Sequence, residues 1–250
     1  MFNGEIIETR RGRYRRVCAR TLERHVVGID VGKSADYTAI CVVNHSARAL
    51  ETWTPHHPSG LNHTGRLVQD VETFFDVRAL ERLDPHVPYP EQVKRVEEIL
   101  AHPRLRGADV VVNATGVGAA ITDMFETIVM SPIRVTITGG TQPVRHSDDR
   151  YSVPKDDVVG AILAQLHNKQ LRFGADLKLL EQLREELNSF QFLGRSPTGQ
   201  EHFGARSGNL VLALGLACWW ATSATKVKRR GEVGVGIING YGGGPITWLD

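Results

Sequence analysis

Residues 25–43, HVVGIDVGKSADYTAICVV, constrain this chain more than any other stretch. Val26, Val27 and Ile29 make an apolar run that carries a single acid, Asp30. A glycine-containing turn follows, and a second apolar run spans Ala39 to Val43. Two short β-branched runs joined by a tight turn predict a β-hairpin. An ionised Asp in a sheet core needs a partner, and a divalent cation is the commonest functional one. The hairpin therefore predicts a sheet with a metal-ligating carboxylate, Asp30, planted on its first strand. Asp36, on the turn, reads as a turn-former or as a residue just outside the metal's own ligands.

The same segment contains GIDVGKS, Gly28 to Ser34, which superficially looks like a phosphate-binding P-loop. A P-loop needs four residues between its first Gly and the Gly-Lys-Ser/Thr, and only Ile29, Asp30 and Val31 intervene. It must also open a helix, whereas Ala39 to Val43 has the pattern of a strand. ATP is not an expected ligand, and residues 1–24 hold no Walker sequence.

The rest of the chain alternates strands and helices. A helix is expected over 91–101 behind Pro90, with Val93, Val96, Ile99 and Leu100 as its apolar stripe. Strands are expected at 108–112 and 133–138, with a helix at 119–129 between them. Residues 139–151 read as a polar loop. Further helices are expected at 156–166 and 176–189, with a short extended piece at 171–173. The last helix, 210–224, is apolar nearly all round and so must be buried. An antiparallel start followed by strand–helix alternation predicts an α/β fold with a mixed central sheet flanked by helices.

Three regions follow: a basic arm at 1–24, a domain at 25–225 and a glycine-rich tail at 226–250. The arm holds Arg10, Arg11, Arg13, Arg15, Arg16, Arg20 and Arg24 against Glu5, Glu8 and Glu23. Phosphate binding and a solvated leader both fit it. The whole chain has 250 residues and a net charge of +2, so bulk charge makes no case for nucleic acid. Cys18, Cys41 and Cys218 are far apart and odd in number, which predicts reduced, structural thiols. His56, His57 and His63 sit in a Pro/Gly-rich loop at 54–65, with spacing that matches no tetrahedral zinc site. The longest apolar run, Leu210 to Ala221, falls short of the roughly 20 residues that span a bilayer, and no signal peptide precedes it.

Two more stretches bear on chemistry. VVVNATGVGAAITDMF, Val110 to Phe125, runs a strand into Asn113 and then turns sharply into a helix. This is either a plain strand-to-helix turn or a device that sets residue 113 beside Asp30. HFGARSGNLVLALGLACWW, His202 to Trp220, places Asn209 just before the buried helix. Asn209 is either its N-cap or a side chain aimed from the helix start into the same site.

Taken in order, these blocks resemble the C-terminal nuclease domain of phage large terminase subunits. GIDVGKSADYTAICVV is similar to that family's first acidic strand, and YPEQVKRVEEIL with VVVNATGVGAAITDMF to its helix and second acidic strand. YSVPKDDVVGAILAQLHNKQLRF, LLEQLREELNSF and SGNLVLALGLACWW resemble the blocks that follow. The likeness runs from about residue 25 to about 225. It implies an RNase H-like fold and an endonuclease using Mg2+ or Mn2+, with site positions 30, 113 and 209. It also implies double-stranded DNA as a partner, met by Lys33, Lys155, Arg11 and Arg13. Other phage packaging or particle proteins would be partners too, in the host cytoplasm or the virion. No membrane is implied.

The departures matter as much as the match. The family carries Asp where this chain has Asn113, and His-Asp-Asp where it has Ser207, Gly208 and Asn209. Two divalent ions bring four positive charges, which one carboxylate offsets poorly. Weak or absent metal binding and little cleavage are expected, unless Asp123, Asp148, Asp149, Asp156 or Asp157 substitutes. The alternative is a structural or interaction protein of a phage particle that reuses the fold, with the tail and Trp248 as a docking strand.

Overall fold

The computed structural model describes residues 6–9, 12–19, 22–32, 36–56, 65–116, 118–128, 132–189, 191–195, 201–204 and 208–228. Its strands are β1 (Ile6–Thr9), β2 (Gly12–Val17), β3 (Leu22–Asp30), β4 (Thr38–His56), β5 (Gly65–Leu83), β6 (Asp109–Asn113), β7 (Ile133–Thr138), β8 (Val144–Arg145), β9 (Arg150–Pro154), β10 (Leu171–Phe173), β11 (Gln191–Arg195) and β12 (Glu201–Gly204). Its helices are α1 (Tyr89–Leu100), α2 (Gly118–Ile128), α3 (Lys155–His167), α4 (Leu180–Ser189) and α5 (Asn209–Lys228).

Among the described residues, ten strands form one sheet in the order β1-β2-β5-β4-β3-β6-β7-β9-β8, with β10 added to β5. β4 runs antiparallel to both β3 and β5, whereas β6 and β7 continue parallel to β3. Counted from β3, the central strands lie 3-2-1-4-5 with only the second reversed. The fold is α/β and RNase H-like, a mixed sheet flanked by helices.

β3 sits at the centre because helices cover it on both faces. Such strands become near-continuous apolar runs, and Val26, Val27 and Ile29 are completely buried. Val26, Cys41, Val43 and Phe75 face Leu210, Leu214 and Cys218 of α5 and Val158 and Ile162 of α3. Val27, Ile29, Ile40 and Val42 face Val93, Val96 and Ile99 of α1 and Phe125 of α2. Each such side chain contributes about 1.5–3 kcal/mol on burial. α5 lies directly on β3: a Cβ at Gly28 would stand 2.1 Å from the Ala213 carbonyl oxygen. That approach fixes α5 over the strand that carries Asp30.

Several boundaries differ from expectation. Part of the expected arm is sheet: β2 pairs in parallel with β5 from Tyr14↔Gly65 to Val17↔Val68, and Tyr14 is buried. β5 is a 19-residue strand where no element was expected. The expected loop at 139–151 contains β8 and the start of β9, because β9 pairs with β7. β4 continues to His56, while His57 and His63 lie outside the described residues, as does the tail from 229 onward with Trp248. None of the three cysteines is in a disulfide; Cys41 and Cys218 are buried and Cys18 is half-buried. Among the described residues no helix is long and apolar enough to cross a membrane.

Candidate active site

Asp30 is the last residue of β3 and stands in register with Asn113, the last residue of β6. The carboxyl ends of parallel strands are where open α/β sheets place ligands. Asp30 is 3% exposed and Asn113 8%. Asn113 Nδ2 donates to Asp30 Oδ1 at 2.6 Å. The orientation of that amide is set by chemistry: Thr115 N–H donates to Asn113 Oδ1 at 2.9 Å, and a backbone N–H only donates. Thr115 is itself held, since its Oγ1 accepts the Ile137 N–H at 2.7 Å. The strand-to-helix turn therefore aims the NH2 of Asn113 at Asp30.

Asn209 reaches the same carboxylate from α5, its Nδ2 donating to Asp30 Oδ2 at 3.0 Å. The N-cap reading of Asn209 gives way here. The first helical bond runs from Leu212 N–H to the Gly208 carbonyl at 2.8 Å, so Gly208 holds the cap position. The Asn209 side chain is left for the site. Three residues distant in sequence thus converge, with each oxygen of the one carboxylate accepting an amide proton.

Burial is the main cause that pushes the Asp30 carboxyl up, to about 6. The hydrogen bonds from Asn113 and then Asn209 oppose the rise, and the charges of Glu186 and Asp36 add to it. Glu186, on α4, is 6% exposed and was missed in the sequence. It pairs with Arg82 of β5, and its Oε2 accepts the Val211 N–H of α5 at 3.0 Å. Glu186 follows Leu183 by three positions on the buried stripe of α4, where an apolar residue is the norm. That polar residue on an apolar stripe was the available signal.

Gly32, just after β3, is held against the start of β4 and α1. Thr38 Oγ1 accepts the Gly32 N–H at 2.9 Å and donates to Gln92 Oε1 at 2.6 Å, and Tyr89 donates its hydroxyl to the Gly32 carbonyl at 3.0 Å. A Cβ at Gly32 would stand 2.1 Å from the Asp36 carbonyl oxygen. Gly28 and Gly32 serve close packing, and the next described element after β3 is β4 rather than a helix.

The other named residues are scattered. Lys33 and Arg11 lie outside the described residues. Arg13 is exposed on β2, 3.4 Å from Glu8, with β5 and β4 between its strand and β3. Lys155 is half-buried at the start of α3. Asp123 is exposed on α2, Asp148 and Asp149 pair with Arg145 and Arg134, and Asp156 and Asp157 open α3. Among the described residues, the side chains hydrogen-bonded to the Asp30 oxygens are both amides.

That donor set does not fit a pair of divalent ions. Such ions take several oxygen ligands with carboxylates among them. Here one carboxylate is present, both neighbouring amides turn nitrogen toward it, and the Asn113 oxygen is engaged by Thr115. Among the described residues no three His, Cys, Asp or Glu side chains are grouped to hold a metal ion.

No family model matches the chain. No curated protein matches it in sequence. Among solved structures it is similar to the large terminase nuclease from thermophilic phage G20c, at 17% identity and a TM-score of 0.45, over 78% of this chain and 81% of that one. It is also similar to the g2p (large terminase) nuclease domain from bacteriophage SPP1 with bound Mn, at 10% identity and a TM-score of 0.41, over 78% of this chain and 84% of that one.

Proposed function

We propose that this chain is a terminase-type protein of phage or prophage origin that keeps the RNase H-like fold without metal-dependent cleavage of DNA. One observation carries the reading. Asp30, the one acid among the three site positions, has both oxygens engaged by amide N–H groups, and the Asn113 amide is locked by Thr115 N–H. Turning the Asn113 oxygen toward a metal would strip Thr115 N–H of its acceptor, which costs about 1–3 kcal/mol. It would still supply no negative charge. Mg2+ and Mn2+ therefore bind weakly or not at all. The ordered sequence blocks and the strand order support the terminase-type ancestry.

Double-stranded DNA remains the proposed partner, met by Lys155 and Arg13 with Lys33 and Arg11. Packaging or particle proteins would complete the set, in the host cytoplasm or the virion. Nicking of supercoiled plasmid in Mn2+ tests the reading. The chain as it stands should leave plasmid intact, whereas N113D/N209D, with three carboxylates, should nick it. DNA binding that weakens steeply with salt supports the nucleic-acid role. Absence of any binding assigns the chain to a structural role in the particle.

A further inference from the structure

Glu186 lies in the LLEQLREELNSF block, which assigns it no role, and Arg82 lies outside every block above; both sit against the site. We propose that they are positioning residues, which fix where α5 begins and hence where Asn209 meets Asp30. The assignment concerns the same site as the proposed function, but it holds whether or not that site cleaves DNA.

The N–H groups of a helix's first turn have no acceptor within the helix. In α5 the Val211 N–H finds one in Glu186 Oε2, at 3.0 Å. A carboxylate there also meets the positive end of the helix dipole. The other oxygen of Glu186 is held by Arg82. Arg82 is fixed by the sheet, in the same cross-strand row as the site: Ala39 of β4 pairs with Asp30 on one side and with Arg82 on the other. The ring of Tyr37 covers the Arg82 guanidinium at 5.4 Å.

The chain of contacts therefore starts and ends on one row of the sheet. Arg82 of β5 holds Glu186 of α4, Glu186 holds the backbone of Val211, and Asn209, two residues earlier, delivers its amide to Asp30 at 3.0 Å. Gly28 fixes the distance of α5 from β3. Glu186 fixes its height along the strand. Without that second constraint the helix start can shift while the apolar packing survives.

The test uses the full chain labelled with 15N. The Asn209 side-chain NH2 signal is assigned by its loss in N209D, and hydrogen exchange is followed at the Val211 amide. Replacing both partners, R82M/E186L, removes the ion pair without orphaning either charge, an exchange that buried pairs often tolerate. The Asn209 signal should then leave its wild-type position, and Val211 should exchange about tenfold or more faster. R82M/E186Q returns one oxygen to the Val211 N–H and should bring both readouts back toward wild type. E186D, which keeps the charge but shortens its reach, should displace the Asn209 signal as well. An Asn209 signal that stays in place in folded R82M/E186L or E186D overturns the proposal, as does a R82M/E186Q protein indistinguishable from R82M/E186L.

Discussion

Replacing Asp30 by asparagine should make this protein more stable at neutral pH, by an amount that vanishes in mild acid. Burial pushes the Asp30 carboxyl from 3.8 up to about 6, against the opposing hydrogen bonds of Asn113 and Asn209 and with the help of the Glu186 and Asp36 charges. At about 1.36 kcal/mol per pH unit, the gap between the two values corresponds to about 3 kcal/mol. Between those pH values the folded state holds the proton more tightly than the unfolded chain. This contribution to stability is therefore complete below about pH 4 and is lost as pH rises through about 6. The amide that D30N introduces does not titrate. Its oxygen can accept from Asn113, whose amide Thr115 holds in place, and Asn209 can turn its own oxygen toward the new NH2. D30N should gain about 2–3 kcal/mol over wild type near pH 8 and nothing near pH 4. Urea unfolding of both proteins across that range measures the difference, in which titrating groups that do not interact with Asp30 cancel. Equal stabilities near pH 8 would refute the reasoning, since they would mean that the ionised carboxylate is stabilised by something other than two amides.

Three further outcomes are expected. Burial, and then the charge of Arg24, push His45 down to about 4, so its contribution to stability is present above about pH 6.5 and is lost as pH falls through about 4. H45Q should flatten that acid limb by about 3 kcal/mol, read from the same pH series. Gly28 and Gly160 should respond in opposite directions: G28A drives a Cβ to 2.1 Å from the Ala213 oxygen and should lose about 3 kcal/mol or more. G160A, in α3 with nothing within 4 Å of the added carbon, should gain about 0.4–1 kcal/mol; denaturant titrations of both check the pair. Asp109, at the start of β6, accepts the Trp220 Nε1–H at 3.1 Å and pairs with Arg24 at 3.4 Å. D109A should therefore cost about 1–3 kcal/mol and change the tryptophan fluorescence, both seen in one fluorescence-monitored melt.

How far the fold was legible depended on whether each element's periodicity came from its own burial. β3, β6, β7, α1 and α5 are covered by the core, so their apolar patterns stand out in the sequence. β5 was invisible because its charges find distant partners: Glu72 with Arg48, Asp76 with Arg172, Arg82 with Glu186. A register shift opposite Val42 and Val43 further breaks its period of two. β2 was hidden by Arg13, Arg15 and Arg16 and β1 by its shortness; their strand character comes from pairing with each other and, for β2, with β5. β9 is a strand because β7 offers it an edge, which no local pattern announces.

The site shows the same division. Asp30 was legible because an acid in an apolar strand demands a partner. Asn113 and Asn209 were legible only through resemblance, since each has a complete local explanation as a turn or cap residue. The Asn113 amide is oriented by the Thr115 N–H two residues on, and the Asn209 side chain is released by Gly208 taking the cap; what residue types alone do not show is that both then meet Asp30, 83 and 179 residues away. Glu186 is marked in the sequence only as a polar residue on the apolar stripe of α4, and its role needs Val211 and Arg82 placed around it.

The most direct test of the central claim, that this site is a hydrogen-bonded network rather than a metal centre, is a Mn2+ titration followed by electron paramagnetic resonance. The chain with Asn113 and Asn209 should leave the Mn2+ spectrum as that of the free aqueous ion up to millimolar concentrations, and N113D/N209D should bind. Stoichiometric, micromolar binding by the unaltered chain, abolished in D30A, would contradict the account.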